Sequence, residues 1–210
     1  ALTCMARCAV ALAAQVPEAT TAMLQQQAAT RLKFTTARTM RVAQQLYEGM
    51  ELGPEGSAAL ITYMRTDSTH LAPDAINTVR NFIHQNFGPD HLPDKPNFYA
   101  SRSTAQQAHE AIRPTEPTRR PADVKPYLTA EQYRLYELIW KRFVACQMTP
   151  ARWQITEAFV EAKSAEHRAM FKAVGRRLVF PGFLALLPER LDGADAELRT
   201  FATEREVYAF

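Results

Sequence analysis

Tyr63 and Arg65 are the side chains in this sequence best suited to chemistry on a phosphate. They lie in Leu60-Ile61-Thr62-Tyr63-Met64-Arg65-Thr66-Asp67-Ser68-Thr69-His70, where Leu60, Thr62 and Met64 alternate with Ile61 and Tyr63. That alternation predicts a short strand breaking into a polar turn. A phenol is a nucleophile once ionised, a guanidinium offers a fixed fork of donors, and the hydroxyls of Thr66 and Ser68 add further donors for phosphate oxygens. A second pair follows at His109 and Arg113, four residues apart, so a helical turn closed by Pro114 would place imidazole and guanidinium on one face. Each group also has a plainer reading: a tyrosine at a strand end often packs at the rim of a core, and a His-x-x-x-Arg turn is as often simply solvated.

The elements that must hold these side chains are mostly helical. Leu24, Ala28 and Leu32 recur at helical spacing behind Thr20 or Thr21 as a cap; a second helix follows Thr36, with Met40, Ala43, Leu46, Tyr47 and Met50 on one face and Gly49 near its stop. Joined by Phe34-Thr35-Thr36 and followed by a strand, the two read as a helix-turn-helix with a wing. Arg38 and Arg41 would then face either DNA phosphates or merely solvent. Pro73 and Asp74 open a third helix carrying Ile76, Val79, Ile83 and Phe87 up to Gly88, and 89–99 is a proline-rich irregular connection. Residues 116–126 read as a basic linker, and Thr129 with Gln132 form a capping box for a long helix. The stripe Tyr136, Ile139, Trp140, Phe143 and Gln147 on that helix is read as core rather than as a base-stacking platform. Beyond Pro150 the period falls to two, giving short strands around Trp153, Ala158, Phe171 and Leu178, with later apolar positions at Phe201 and Val207–Phe210. The fold class is α+β and multidomain, with a mainly helical part followed by a β-rich part.

Composition excludes more than it assigns. A chain of 210 residues, 47% hydrophobic and 22% charged, is an ordinary globular composition with no run long enough to span a bilayer. Its 25 basic and 22 acidic residues leave only +3, so nucleic-acid contact would have to come from local patches. Cys4, Cys8 and Cys146 form neither an even disulfide set nor a zinc knuckle, which suits reduced thiols in the cytoplasm. The Ala-rich run within residues 1–19 is too short and too weakly charged at its start for a signal peptide. That segment is read as a helical domain boundary or as an appended sequence.

The two motifs together resemble a known family. Ile61-Thr62-Tyr63-Met64-Arg65-Thr66-Asp67-Ser68 is similar to the active-site tyrosine segment of bacterial type IA DNA topoisomerases, and His109-Glu110-Ala111-Ile112-Arg113-Pro114-Thr115 resembles the family's second motif, in the expected order. The likeness continues through Leu24-Gln25-Gln26, 39–49 and 138–148; Pro17-Glu18-Ala19-Thr20-Thr21 departs from the Pro-Phe-Thr-Thr-like approach expected there. The resemblance implies that residues 20–149 are the tyrosine-bearing catalytic domain, with winged-helix-like elements, and that 150–210 are part of a β-rich connector. It implies catalytic roles for Tyr63, Arg65 and His109, with His109 near the scissile phosphate. Thr66, Ser68, Arg113, Arg38 and Arg41 are the expected DNA contacts.

The expected chemistry follows from the groups. With an ordinary pKa of about 10, roughly one phenol in a thousand is ionised at neutral pH, and Arg65 is the cation best placed to favour phenolate and neutralise the phosphorane. In the family, attack gives a 5′-phosphotyrosine and a free 3′-hydroxyl; exchanging one phosphodiester for another lets the break reseal without ATP, relaxing negative supercoils after strand passage. The family's Mg²⁺ and general acid come from a Toprim domain, and no Asp-x-Asp-x-Glu-like cluster occurs in these residues, so no metal is expected here. The reading is of a fragment, inactive alone, whose partners are single-stranded or underwound DNA and the remaining domains of the same polypeptide, with no membrane. Two rivals remain: a non-catalytic helix-turn-helix DNA-binding module, and a type IB enzyme or recombinase that would attach to a 3′ phosphate instead.

Overall fold

The computed structural model describes residues 2–12, 16–17, 19–99, 110–164 and 168–188. They fall into a helical unit built on Gln15–Thr149 and a strand unit built on Ala1–Ala14 with Pro150–Leu184.

In the helical unit, α1 (Thr21–Gln27) starts at Thr20, whose hydroxyl accepts from the Met23 N–H at 3.4 Å. It widens into a π-helical turn over Ala28–Leu32 and ends at Lys33 in the left-handed region, φ 61°. A new cap at Thr35, accepting from Arg38 N at 3.2 Å, opens α2 (Thr36–Glu48). The two-residue strands β2 (Met50–Glu51) and β3 (Ser57–Ala58) then form a small hairpin. Its loop needs glycine at position 53: φ is +64°, and a Cβ there would sit 2.9 Å from the Tyr127 ring. α3 (Pro73–Phe87), the single turn α4 (Pro121–Val124) and α5 (Ala130–Cys146) complete the unit. Thr129 and Gln132 form the expected capping box at the start of α5.

The core is organised on α5, whose Leu135, Tyr136, Ile139, Trp140, Phe143 and Val144 are all buried, as are Val42, Ala43 and Leu46 of α2 and Val79 and Ile83 of α3. Each Val, Leu, Ile or Phe among them contributes roughly 1.5–3 kcal/mol on burial. The two polar tips in the stripe are satisfied: Trp140 Nε1 donates to Pro117 O at 2.9 Å and the Tyr136 hydroxyl to Arg119 O at 2.8 Å. The aromatic stripe is therefore core.

The strand unit is an antiparallel sheet of β1 (Leu2–Leu12), β4 (Arg152–Lys163) and β5 (Arg168–Phe180), with β4 central and a register shift between Arg152 and Trp153. Among the described residues no helix is long and apolar enough to cross a membrane.

Five local expectations are corrected. The Ala-rich N-terminal stretch is a strand rather than a helix, because its pairing with β4, from Leu2↔Ala162 to Leu12↔Arg152, overrides local propensity. The β-rich part forms two long strands rather than several short ones, since interruptions of the apolar pattern do not interrupt the ladder. The 116–126 linker contains α4 and a 3₁₀ turn at Lys125–Tyr127. The tyrosine stretch is extended but makes only one bridge, Ile61↔Pro114, and residues 110–114 are likewise extended, not a helical turn. Phe201 and Val207–Phe210 lie outside the described residues.

Burial pushes the Tyr136 phenol well above its ordinary value, with the nearby Arg119 charge opposing. Its contribution to stability is therefore whole below about pH 10, the unfolded value, and is lost as pH climbs toward the folded one. Urea denaturation from pH 7 to 11 should show stability falling above about pH 10 in the wild type and a flatter slope in Tyr136→Phe. That variant should also lose about 1–2 kcal/mol at pH 7, because the Arg119 carbonyl loses its donor.

Candidate functional site

The backbone around Tyr63 is held from two sides. Upstream, Leu60 N donates to Leu46 O at 2.8 Å and Thr62 N to Arg113 O at 2.9 Å. The Thr62 hydroxyl donates to Ala111 O at 2.8 Å and accepts from Arg113 N at 3.0 Å. Downstream, the Thr21 hydroxyl donates to Met64 O at 2.7 Å and accepts from Thr66 N at 2.8 Å, while Thr21 N donates to Thr66 O at 2.9 Å. Residues 62 and 64 are thus tied to different elements, 111–113 and the first turn of α1.

An extended chain sends successive side chains to opposite sides, and these ties decide which side is which. Met64, Thr66 and Ser68 turn inward and are buried, while Tyr63, Arg65 and Asp67 are exposed, Tyr63 to 41%. The phenol and the guanidinium are therefore both exposed, one on each side of the bend at Met64. The Tyr47 ring, from the last turn of α2, meets the Tyr63 ring edge-on with centroids 5.4 Å apart.

The other expected site residues divide. Thr66 and Ser68 use their hydroxyls to shape the turn: Thr66 Oγ1 accepts from Ser68 N at 3.0 Å and Ser68 Oγ from His70 N at 3.1 Å. Arg113 is braced, its Nη2 donating to Glu110 Oε2 at 2.8 Å and its Nη1 to Pro114 O at 2.9 Å. Glu110 Oε1 in turn accepts from Ala72 N, at the start of α3, at 2.8 Å. Arg38 is paired with Glu131 and lies over the Phe34 ring at 4.7 Å; its hydrogen bond with Glu131 holds that carboxyl below the usual carboxylate range and raises the arginine. Arg41 is 68% exposed, with Nη2 4.0 Å from Glu131 Oε2. His109 lies outside the described residues.

Sequence reasoning missed the groups that do the positioning. Thr21 stood out only as a possible helix cap, Tyr47 only as a face residue of α2, and Glu110 and Thr62 only as letters within motifs. The partners of Thr21, Thr62 and Glu110 lie 43, 49 and 38 positions away in the sequence, and the Tyr47 ring meets that of Tyr63 across a chain reversal. Among the described residues no three His, Cys, Asp or Glu side chains group to hold a metal, and both carboxylate oxygens of Glu110 are already engaged. The described residues do not fit a Mg²⁺ site.

A family model described as DNA topoisomerase matches residues 12–209. DNA topoisomerase 1 of Xylella fastidiosa (strain Temecula1) is 50% identical over 182 residues, 86% of this chain and 22% of its own length. DNA topoisomerase 1 of Salmonella typhimurium is 48% identical over 168 residues, 80% of this chain and 18% of its own. The solved structure of full-length topoisomerase I from Thermotoga maritima superposes with a TM-score of 0.78 at 35% identity, covering 95% of this chain and 31% of that one. The chain thus spans about a fifth of the length of these two relatives.

Thr62→Val keeps the side-chain shape while removing the acceptor for Arg113 N and the donor to Ala111 O. The variant should be destabilised by about 1–3 kcal/mol, and amide hydrogen exchange at Arg113 should quicken. Unchanged exchange at that amide would show that the tie does not hold the segment.

Proposed function

The chain belongs to the bacterial type IA DNA topoisomerase family, and from that premise we propose that it carries the nucleophile that breaks and reseals one DNA strand. The observation carrying this reading is the shared exposure of Tyr63 and Arg65 on a segment tied on both sides of the tyrosine. In the proposed reaction the Tyr63 phenolic oxygen attacks phosphorus and its proton passes to water. The bond to the 3′ oxygen breaks, and that oxygen takes a proton from a general acid. Arg65 balances charge on the pentacoordinate phosphorus. Fixing the tyrosine's neighbours lowers the entropy lost in reaching attack geometry. The reverse attack by the 3′-hydroxyl reseals the strand after passage of another, relaxing negative supercoils without ATP.

His109 assists at the same phosphate in this reading, and Arg41, largely exposed, meets DNA phosphates. The braced guanidinium of Arg113 and the buried hydroxyls of Thr66 and Ser68 support a revised role for these three, holding the loop rather than touching DNA. Residues 20–149 form the tyrosine-bearing domain and 150–210 contribute to a connector. The Mg²⁺ and the general acid come from a Toprim domain elsewhere in a longer polypeptide, which acts on single-stranded or underwound DNA in the cytoplasm.

In a full-length protein carrying this chain, Tyr63→Phe should bind oligonucleotide nearly as the wild type does yet form no covalent adduct; an adduct of normal yield would remove Tyr63 from the mechanism. Arg65→Lys keeps the charge but loses the planar fork, and adduct formation should slow while noncovalent affinity changes little. The 210-residue chain alone should form no protein-linked 5′ product after a denaturing quench, since a missing general acid forfeits about 10²–10⁴-fold. Robust linkage by the chain alone would place that acid within these residues.

A further inference from the structure

A cavity of about 320 Å³ opens just past the tyrosine segment, between Thr69–Leu71 with the start of α3 on one side and Pro96–Tyr99 on the other. Leu71 and Ile76 are buried along it, and the exposed His70 and Asn77 stand at its edge. Among the described residues no Lys, Arg, Asp or Glu lines it. It therefore suits a flat, uncharged, hydrogen-bonding group better than a phosphate or a metal ion.

The wall facing α3 is rigidly built. The Asn97 side-chain amide donates to Cys146 O at 2.9 Å, its backbone N–H to Gln147 Oε1 at 3.1 Å, and Gln147 Nε2 returns a bond to Asn97 O at 2.9 Å. The Tyr99 hydroxyl also donates to Cys146 O at 2.9 Å, and the Thr69 hydroxyl to Tyr99 O at 3.1 Å. Two of these bonds converge on Cys146 O, at the carbonyl end of α5. With Asn97 and Tyr99 both drawn inward, an extended chain turns the residue between them outward. Phe98 is accordingly 78% exposed, more than any other exposed large hydrophobic side chain among the described residues. An exposed aromatic ring thus stands beside a cavity whose described lining carries no Lys, Arg, Asp or Glu.

We propose that this cavity binds a nucleobase of the DNA strand that runs to Tyr63, with Phe98 as the stacking face and Asn77 and His70 reading the base edge. This rests on the DNA-cleavage reading above. Thr69 follows Tyr63 by six positions, a span of at most about 20 Å in extended chain, so the base belongs to a nucleotide a few positions from the cleaved phosphate. The labour divides by charge: Arg65 takes the phosphate, and the uncharged cavity takes the base. Stacking tolerates every base, whereas the imidazole and the amide discriminate among them.

The test uses the full-length protein as wild type, Phe98→Ala and Phe98→Trp, with single-stranded oligonucleotides each lacking one base at successive positions around the cleavage site. Wild type should lose about tenfold in affinity when one particular base is removed. Phe98→Ala should bind the intact oligonucleotide about tenfold more weakly and no longer sense that position. Phe98→Trp should keep the positional signature, with its indole emission quenched by the intact strand. Identical profiles for wild type and Phe98→Ala, the result expected if Phe98 only packs against another part of the polypeptide, overturn the proposal. Covalent linkage through Tyr63 in the wild type is scored separately: linkage with identical profiles sinks the base pocket alone, whereas a Phe98-dependent positional loss without linkage upholds the pocket and sinks the cleavage reading.

Discussion

The hydrogen bonds of two threonine hydroxyls on either side of Tyr63 are the constraint on which the site depends. Thr62 binds the backbone of 111–113, and Thr21 binds that of 64–66. An irregular segment has no ladder of its own, so its polar backbone groups must find partners elsewhere or face water. Here they find them in two other parts of the chain. The same bonds set the side-chain alternation, so that burying Met64, Thr66 and Ser68 is one event with exposing Tyr63 and Arg65.

Those partners are fixed in turn by the helical core. Glu110 binds both Arg113 and the first turn of α3, so the segment after His109 in sequence is anchored to a helix whose Val79 and Ile83 are buried. Leu60 is anchored to the end of α2, which also supplies the Tyr47 ring beside the tyrosine. α5 contributes most to the core through its apolar stripe, and its last carbonyl, Cys146 O, accepts from Asn97 and Tyr99 on either side of Phe98. Packing free energy is thereby converted into positional precision at exposed groups. An exposed side chain on an unrestrained loop would instead lose entropy each time it was brought to one geometry.

Charge is distributed with similar economy. Arg113 and Arg38 are neutralised by Glu110 and Glu131, and Arg38 is further held against Phe34. Arg65 and Arg41 stay exposed. A net charge of +3 on 210 residues does not by itself identify a DNA-binding protein. What matters is which cations remain accessible after internal pairing, and composition does not record that.

The sequence by itself determined the four longer helices, α1, α2, α3 and α5, and where they start. The caps at Thr20 and Thr129, the stops at Gly49 and Gly88 and the buried stripe of α5 are local or periodic signals, and a cap lies within four residues of the groups it satisfies. It also carried two family motifs in order, because the residue types needed for phosphate chemistry are written in consecutive letters. Only the tertiary structure decided that residues 2–12 are a strand, since their ladder partner lies about 150 residues later and Ala-rich local propensity points the other way. It alone decided that 110–114 is extended, that Arg113 braces rather than projects, and that Thr66 and Ser68 face inward. Each of these depends on a hydrogen bond or bridge whose partner is set by how the chain folds back, and alternation of a short segment cannot say which of its two faces the core will claim.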